Sequence, residues 1–157
     1  MSVVLSKRRE SRLEVWNNAE LLRTALLDLS NRSFGVYSRN SIFRRRYAVL
    51  LRNGLEQEYM DNLIKEKSDR LSRFADDLID SIVSADAIFP TRPEDLKLRR
   101  LYQDKALSLC GVIEDELQYI VTYFDVNIEV FKIQIQLLNR EVDLIKRWRT
   151  SDNKLRM

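Results

Sequence analysis

Apolar side chains recur along this chain at alternating spacings of three and four residues, which lines them up on one face of an α-helix. Four such stripes can be followed. The first runs Val15, Ala19, Leu22, Leu26, Leu29, and the second Leu71, Phe74, Leu78, Ile82, Ala85, Phe89, with a weaker continuation back towards Leu55. The third runs Tyr102, Ala106, Leu109, Ile113, Leu117, Ile120, Phe124, and the fourth Ile128, Phe131, Ile135, Leu138, Val142, Ile145. Each occupies a segment of roughly 20 to 30 residues, or about 30 to 45 Å of helix. Helices of matched length joined by short turns pack side by side. The pattern therefore predicts an all-α protein, a single antiparallel up-down-up-down four-helix bundle over residues 1–157 with basic N- and C-terminal extensions.

The breaks between stripes carry the expected punctuation. "FPTRPEDL" stops the second helix at Pro90 and opens the third, with Thr91 as N-cap, Pro93 in the first turn and Glu94 completing a capping box. "FDVNIEV" separates the third and fourth helices and offers Asp125 or Asn127 as the next cap. After the first helix "RSFGVYSRNS" places Gly35 in a loop, and the chain up to Gly54 reads as a short helix or an arm.

Composition narrows the class. Three glycines and two prolines are too few for a turn-rich sheet protein, and 45% apolar with 32% charged residues suits a helical soluble chain. Cys110 is the only cysteine, so no internal disulfide can form, which fits a reducing compartment. The start "MSVVLSKRRE" is too short in apolar residues for a signal peptide, and the uncharged run Leu117 to Phe124 could not span a bilayer. A cytoplasmic protein without a membrane partner is expected. Histidine is absent. That removes the usual general base and the commonest metal ligand, so zinc, Ser–His or Cys–His chemistry and a histidine-containing di-iron centre are untenable. No cofactor or metal is expected.

Charge is unevenly spread. Residues 1–55 hold 11 basic and 4 acidic side chains, residues 56–90 hold 4 and 9, residues 91–145 hold 7 and 10, and residues 146–157 hold 5 and 1. Two cationic ends around an acidic middle suggest a polyanionic partner. The most unusual stretch, Leu29 to Leu55, has no acidic residue and six arginines, Arg32, Arg39, Arg44, Arg45, Arg46 and Arg52, interleaved with Phe34, Tyr37, Phe43 and Tyr47. Arginine forks match phosphate oxygens, and aromatic rings stack on unpaired bases. The competing account is a solvated loop, about 32–55, whose aromatics tuck into the end of the bundle.

Two further clusters flank the helices: Lys7, Arg8, Arg9 and Arg12 near the start, and Lys146, Arg147, Arg149, Lys154 and Arg156 near the end. Up-down order brings the start of the first helix beside the end of the fourth, so these two clusters would share one pole. Each has a plainer account as well. Basic tails keep proteins soluble, and Lys146, Arg147 and Arg149 complement the dipole at a helix C-terminus. Trp148 continues the fourth seam and would close the bundle's end.

Among acidic residues, the pairs Glu58/Asp61 and Glu66/Asp69 have the spacing with which all-α nucleotide pyrophosphohydrolases hold magnesium, which requires carboxylates converging on the interior. The plainer account is the polar side of an amphipathic helix. Glu114, Asp115 and Glu116 read as a solvated face, and Cys110 as a small core residue.

"FPTRPEDLKLRRLYQDKALSLC", together with a capped fourth helix ending "REVDLIKRWRTSDNK", resembles the accessory variability determinant family, the four-helix-bundle accessory proteins of diversity-generating retroelements. "SKRRESRLEVW" and "RSFGV" are similar to the opening of such proteins. The likeness covers about residues 6–154 and is weakest from Tyr37 to Glu58. It implies a small basic bundle that assembles as a homopentamer and binds the element's reverse transcriptase, its template-repeat RNA and cDNA. Such a protein supports mutagenic reverse transcription (retrohoming) and catalyses nothing itself. It also implies that the clustered arginines and lysines contact nucleic acid. The Arg-rich insert departs from the family and leaves open where polymerase or RNA would dock. Two other classes stay open: a helical module that binds an acidic protein and no nucleic acid, and a magnesium-dependent nucleotide pyrophosphohydrolase.

Overall fold

A computed structural model describes the backbone of residues 3–36, 55–124 and 126–155, and the side chains of 13–36, 58–124 and 126–155. Among these residues are four long helices, α1 (Val3–Asn31), α2 (Leu55–Ala87), α3 (Pro93–Phe124) and α4 (Lys132–Asp152), with short 3-10 turns at Ser33–Gly35 and Ile128–Phe131. There is no strand among the described residues, so the all-α expectation holds. No helix among them is long and apolar enough to cross a membrane. Helix α1 begins at Val3, well ahead of the first stripe residue Val15, so Lys7 to Arg12 lie on the helix rather than on an extension before it. The Arg-rich arm falls largely in residues 37–54, outside the described residues.

Helices α1 and α3 each pack against both α2 and α4. Between α1 and α4, and between α2 and the start of α3, hydrogen bonds pair later residues of one segment with earlier residues of the other. Asn18 of α1 donates to the Leu137 carbonyl of α4, while Gln134, earlier in α4, donates to the Ala25 carbonyl, later in α1. Lys67 of α2 reaches Glu116 of α3, and Arg99 of α3 donates to the Ile88 carbonyl just beyond α2.

The first stripe is buried in full. The second is buried at Leu71, Leu78, Ile82 and Ala85 and reaches back through Ile64 and Met60, but Phe89 is 71% exposed. It stands beyond the end of α2 at Ala87, where the helical period no longer aims its ring inward.

The third and fourth seams hold a correction. The buried face of α3 passes through Arg99, Gln103, Ala106, Cys110, Ile113, Leu117, Ile120 and Phe124, with Tyr102 and Leu109 only half-buried. That of α4 passes through Gln134, Leu138, Glu141, Ile145, Trp148 and Asp152 after Phe131. Ile135 and Val142 are half-buried and Ile128 is 54% exposed. The apolar stripe marks one edge of the true interior face, and polar residues complete it.

Helix starts differ from expectation in detail. Pro93 opens α3, so Arg92 takes the cap position. The Asp95 carboxylate, not Glu94, accepts the Arg92 backbone N–H at 3.2 Å and the Thr91 hydroxyl at 3.0 Å. These bonds, the Arg92 side chain's first, hold the Asp95 carboxyl below its ordinary range. Of the two caps offered before α4, Asn127 caps the 3-10 turn by accepting the Glu129 N–H at 3.1 Å. Asp125 lies outside the described residues.

The turn after α1 is strained. Ser33, Phe34 and Gly35 have φ of 50°, 55° and 74°, left-handed values that only glycine adopts freely. They deliver Phe34 into the core with no exposed surface, and Gly35 lies against Val130, whose Cγ1 would stand 3.3 Å from an added Cβ. Gly35→Ala is expected to cost about 1–2 kcal/mol, through φ strain and this close approach, in urea unfolding followed by circular dichroism.

Candidate nucleic-acid interface

The last turns of α4 carry two chemistries on opposite faces, because residues at three- and four-residue spacings share a face and intermediate ones oppose it. Inward, Trp148 is 2% exposed and closes the core, as its place in the seam predicts. The Arg99 guanidinium of α3 sits over its ring, 5.1 Å from the centroid. Arg99 Nε lies 2.9 Å from Asp152 Oδ2, and Gln103 Nε2 donates to the same oxygen at 2.8 Å. Both charges of this pair are almost wholly buried. The group bolts the end of α4 to the start of α3.

Outward, Lys146, Arg147 and Lys154 are exposed and line a shallow groove with Asp143, Thr150 and Ser151. None of the three cations holds an ion pair with a described residue, although other cations nearby do. Arg149, half-exposed at the side of the helix, pairs with Asp104 of α3 at 3.1 Å. Thr150 donates its hydroxyl back to the Lys146 carbonyl at 2.9 Å, as threonine does inside helices. Three cations and one carboxylate around the exposed Thr150 and half-buried Ser151 make a surface suited to phosphate oxygens.

The remaining expected contacts divide clearly. Lys7, Arg8, Arg9 and Arg12 fall on the first turns of α1, and their side chains lie outside the described residues, as do Arg39, Arg44, Arg45, Arg46, Arg52 and Arg156. Arg32, at the start of the Arg-rich run, pairs with Asp28 at 2.7 Å on the exposed face of α1.

Acidic candidates behave in two ways. Glu58, Asp61, Glu66 and Asp69 are exposed on α2 rather than turned inward, and no group of three or more potential ligands is gathered for a metal among the described residues. Glu114 and Asp115 are exposed, but Glu116 corrects the expectation of a solvated face. It is buried and receives Lys67 at 2.8 Å and Arg70 at 3.0 Å, while Lys67 also lies 4.2 Å from the centre of the Tyr119 ring. Cys110 is buried in the third seam, and burial pushes its thiol up to about 12.

Sequence reasoning passed over Asn18, Arg99, Gln103, Glu141 and Asp152. The missed signal is spacing: Phe131, Leu138, Ile145 and Asp152 are seven apart, as are Gln134, Glu141 and Trp148. No protein-family model, curated protein or solved structure matches the chain.

Stranding one member of a buried ion pair costs about 3–5 kcal/mol, so Asp152→Ala should lower stability by about that much in urea unfolding. Combining Arg99→Met with Asp152→Leu should recover most of the loss. A double variant as unstable as Asp152→Ala would show that shape, not charge burial, sets the cost.

Proposed function

We propose that this chain is a non-catalytic accessory protein that binds nucleic acid through phosphate contacts. In this reading it holds the template RNA and cDNA of a diversity-generating retroelement against the element's reverse transcriptase. The observation that carries the reading is the groove of Lys146, Arg147 and Lys154, cations without ion-pair partners among the described residues, on the outer face of a helix end whose inner face is locked. Exposed cations of this kind release counterions on meeting a polyanion, which favours binding without disturbing the core.

The four helices are read as an antiparallel up-down-up-down bundle, supported by the reversed residue order of their contacts. In that arrangement the start of α1, with Lys7, Arg8, Arg9 and Arg12, approaches the end of α4, and the two clusters add to one cationic pole. The sequence resemblance supplies the polymerase partner and the homopentamer. Five copies of one basic pole would convert weak sites into avid binding.

Filter binding of a structured RNA across a salt series tests this. Each neutralised phosphate contributes roughly 0.7 to 0.9 to the log–log salt slope, so changing Lys146, Arg147 and Lys154 together to Glu should lower the slope by about 2 while leaving the helical signal intact. Replacing Arg44, Arg45 and Arg46 by Ala measures the share of the arm in the same assay, with reduced retention expected. Absence of salt-sensitive affinity for RNA or DNA, alone or with the polymerase, would sink the reading. Binding to an acidic protein that generic RNA fails to compete would favour an interaction module instead.

A further inference from the structure

Glu141 occupies an inward position of α4 with 0% of the residue exposed. Its Oε2 accepts one hydrogen bond, from Asn18 Nδ2 of α1 at 2.7 Å, and the same amide nitrogen reaches the Leu137 carbonyl at 3.0 Å. Glu141 Oε1 and Asn18 Oδ1, both buried, have no hydrogen-bond donor among the described residues. Among the described residues the carboxyl has no ion-pair partner. On α3 the neighbour that feels it is the Cys110 thiol, itself held uncharged. The cation whose charge acts on it is Arg140, on its own helix and exposed. Among the described residues of the helices packed against α4, Glu14 is exposed on α1, Glu20 pairs with Arg23, Glu114 is exposed on α3, Asp104 pairs with Arg149 and Arg99 with Asp152. An ionised carboxylate with one neutral donor and no ion pair is costly in a core, whereas the acid form is neutral and turns one acceptor into a donor.

We propose that Glu141 is a proton-operated clasp between α1 and α4, closed when the carboxyl in the Asn18 pocket carries its proton and loosened when it is lost. Burial pushes the group from its ordinary 4.5 up to about 8, against the smaller opposing pulls of the Asn18 hydrogen bond and the Arg140 charge. Between these two values the unfolded chain has lost the proton and the folded chain keeps it. Stability is therefore complete below the lower value, declines as pH rises across the window, and levels off above it. The clasp does not depend on nucleic-acid binding, so either can fail without the other.

The test compares wild type with Glu141→Gln, which keeps the shape and cannot ionise. Urea unfolding from pH 5 to pH 8 should show the wild-type unfolding constant rising relative to the variant by about tenfold per pH unit. Infrared spectroscopy of folded wild type at pH 7 should show the carbonyl band of one protonated carboxylic acid, absent in the variant. Above pH 8, amide exchange around Asn18 and residues 137–141 should be faster in wild type than in the variant at the same pH. Identical pH slopes overturn the proposal. So does a missing acid band at pH 7, a readout that stands even if the variant fails to fold.

Discussion

Polar side chains placed on the inner faces of these helices must find partners there, and that requirement governs how the helices meet. A buried donor or acceptor left alone costs about 1–3 kcal/mol, and an unpaired buried charge costs more. The seams carry Asn18, Lys67, Arg99, Gln103, Glu116, Gln134, Glu141 and Asp152 at buried positions. Each contacts one particular neighbouring helix: Lys67 meets Glu116, Arg99 and Gln103 meet Asp152, Asn18 meets Glu141, and Gln134 meets the Ala25 carbonyl. Leucine seams alone would tolerate sliding by a turn. A one-turn slip here would strand several of these groups at once, so the polar pairs define register more sharply than the apolar residues that supply most of the burial.

The pairs are not chemically equivalent. Lys67 and Arg70 converge on the buried Glu116, with Tyr119 and Phe74 rings beneath the cations, so the carboxylate has two cationic partners and Arg70 reaches solvent. Arg99 and Asp152 are a matched pair at the end of the core, capped by Trp148. Glu141 has a neutral hydrogen-bond partner in Asn18, and burial pushes its carboxyl up to about 8. Three solutions to one burial problem thus sit in the same small core.

Much of the fold is readable from the sequence because apolar spacing reports which face of a helix is dry. Val15, Ala19, Leu22, Leu26 and Leu29 show this without exception. Reading fails where the interior face is polar. Ile128, Ile135 and Val142 appear to form the fourth seam only because Gln134, Glu141 and Asp152 are assumed to be wet, and the real face is turned towards those polar groups. Glu116 is misread for the same cause: nothing local in "EDE" tells which carboxylate has Lys67 waiting on another helix. Pairing across helices is a tertiary fact. The candidate interface is legible in composition, since a cationic helix end stands out, but the sequence cannot separate Arg149, tied to Asp104, from Lys146 and Arg147, which are not.

That separation bears on what the end of α4 can do. Within one stretch of helix, the charge of Asp152 is consumed by Arg99, that of Arg149 is shared with Asp104, and those of Lys146, Arg147 and Lys154 face water. A cation already paired must break its ion pair before it can serve a ligand, and the exchange returns little. A cation facing water gives up only hydration and its counterion, and the counterion's release favours the complex. In the proposed reading the outer groove would take up an anion without breaking an ion pair among the described residues, and the buried pair behind it would hold the helix end in place. Rigidity and free charge come from opposite faces of the same turns, and the helical period is what keeps the two apart.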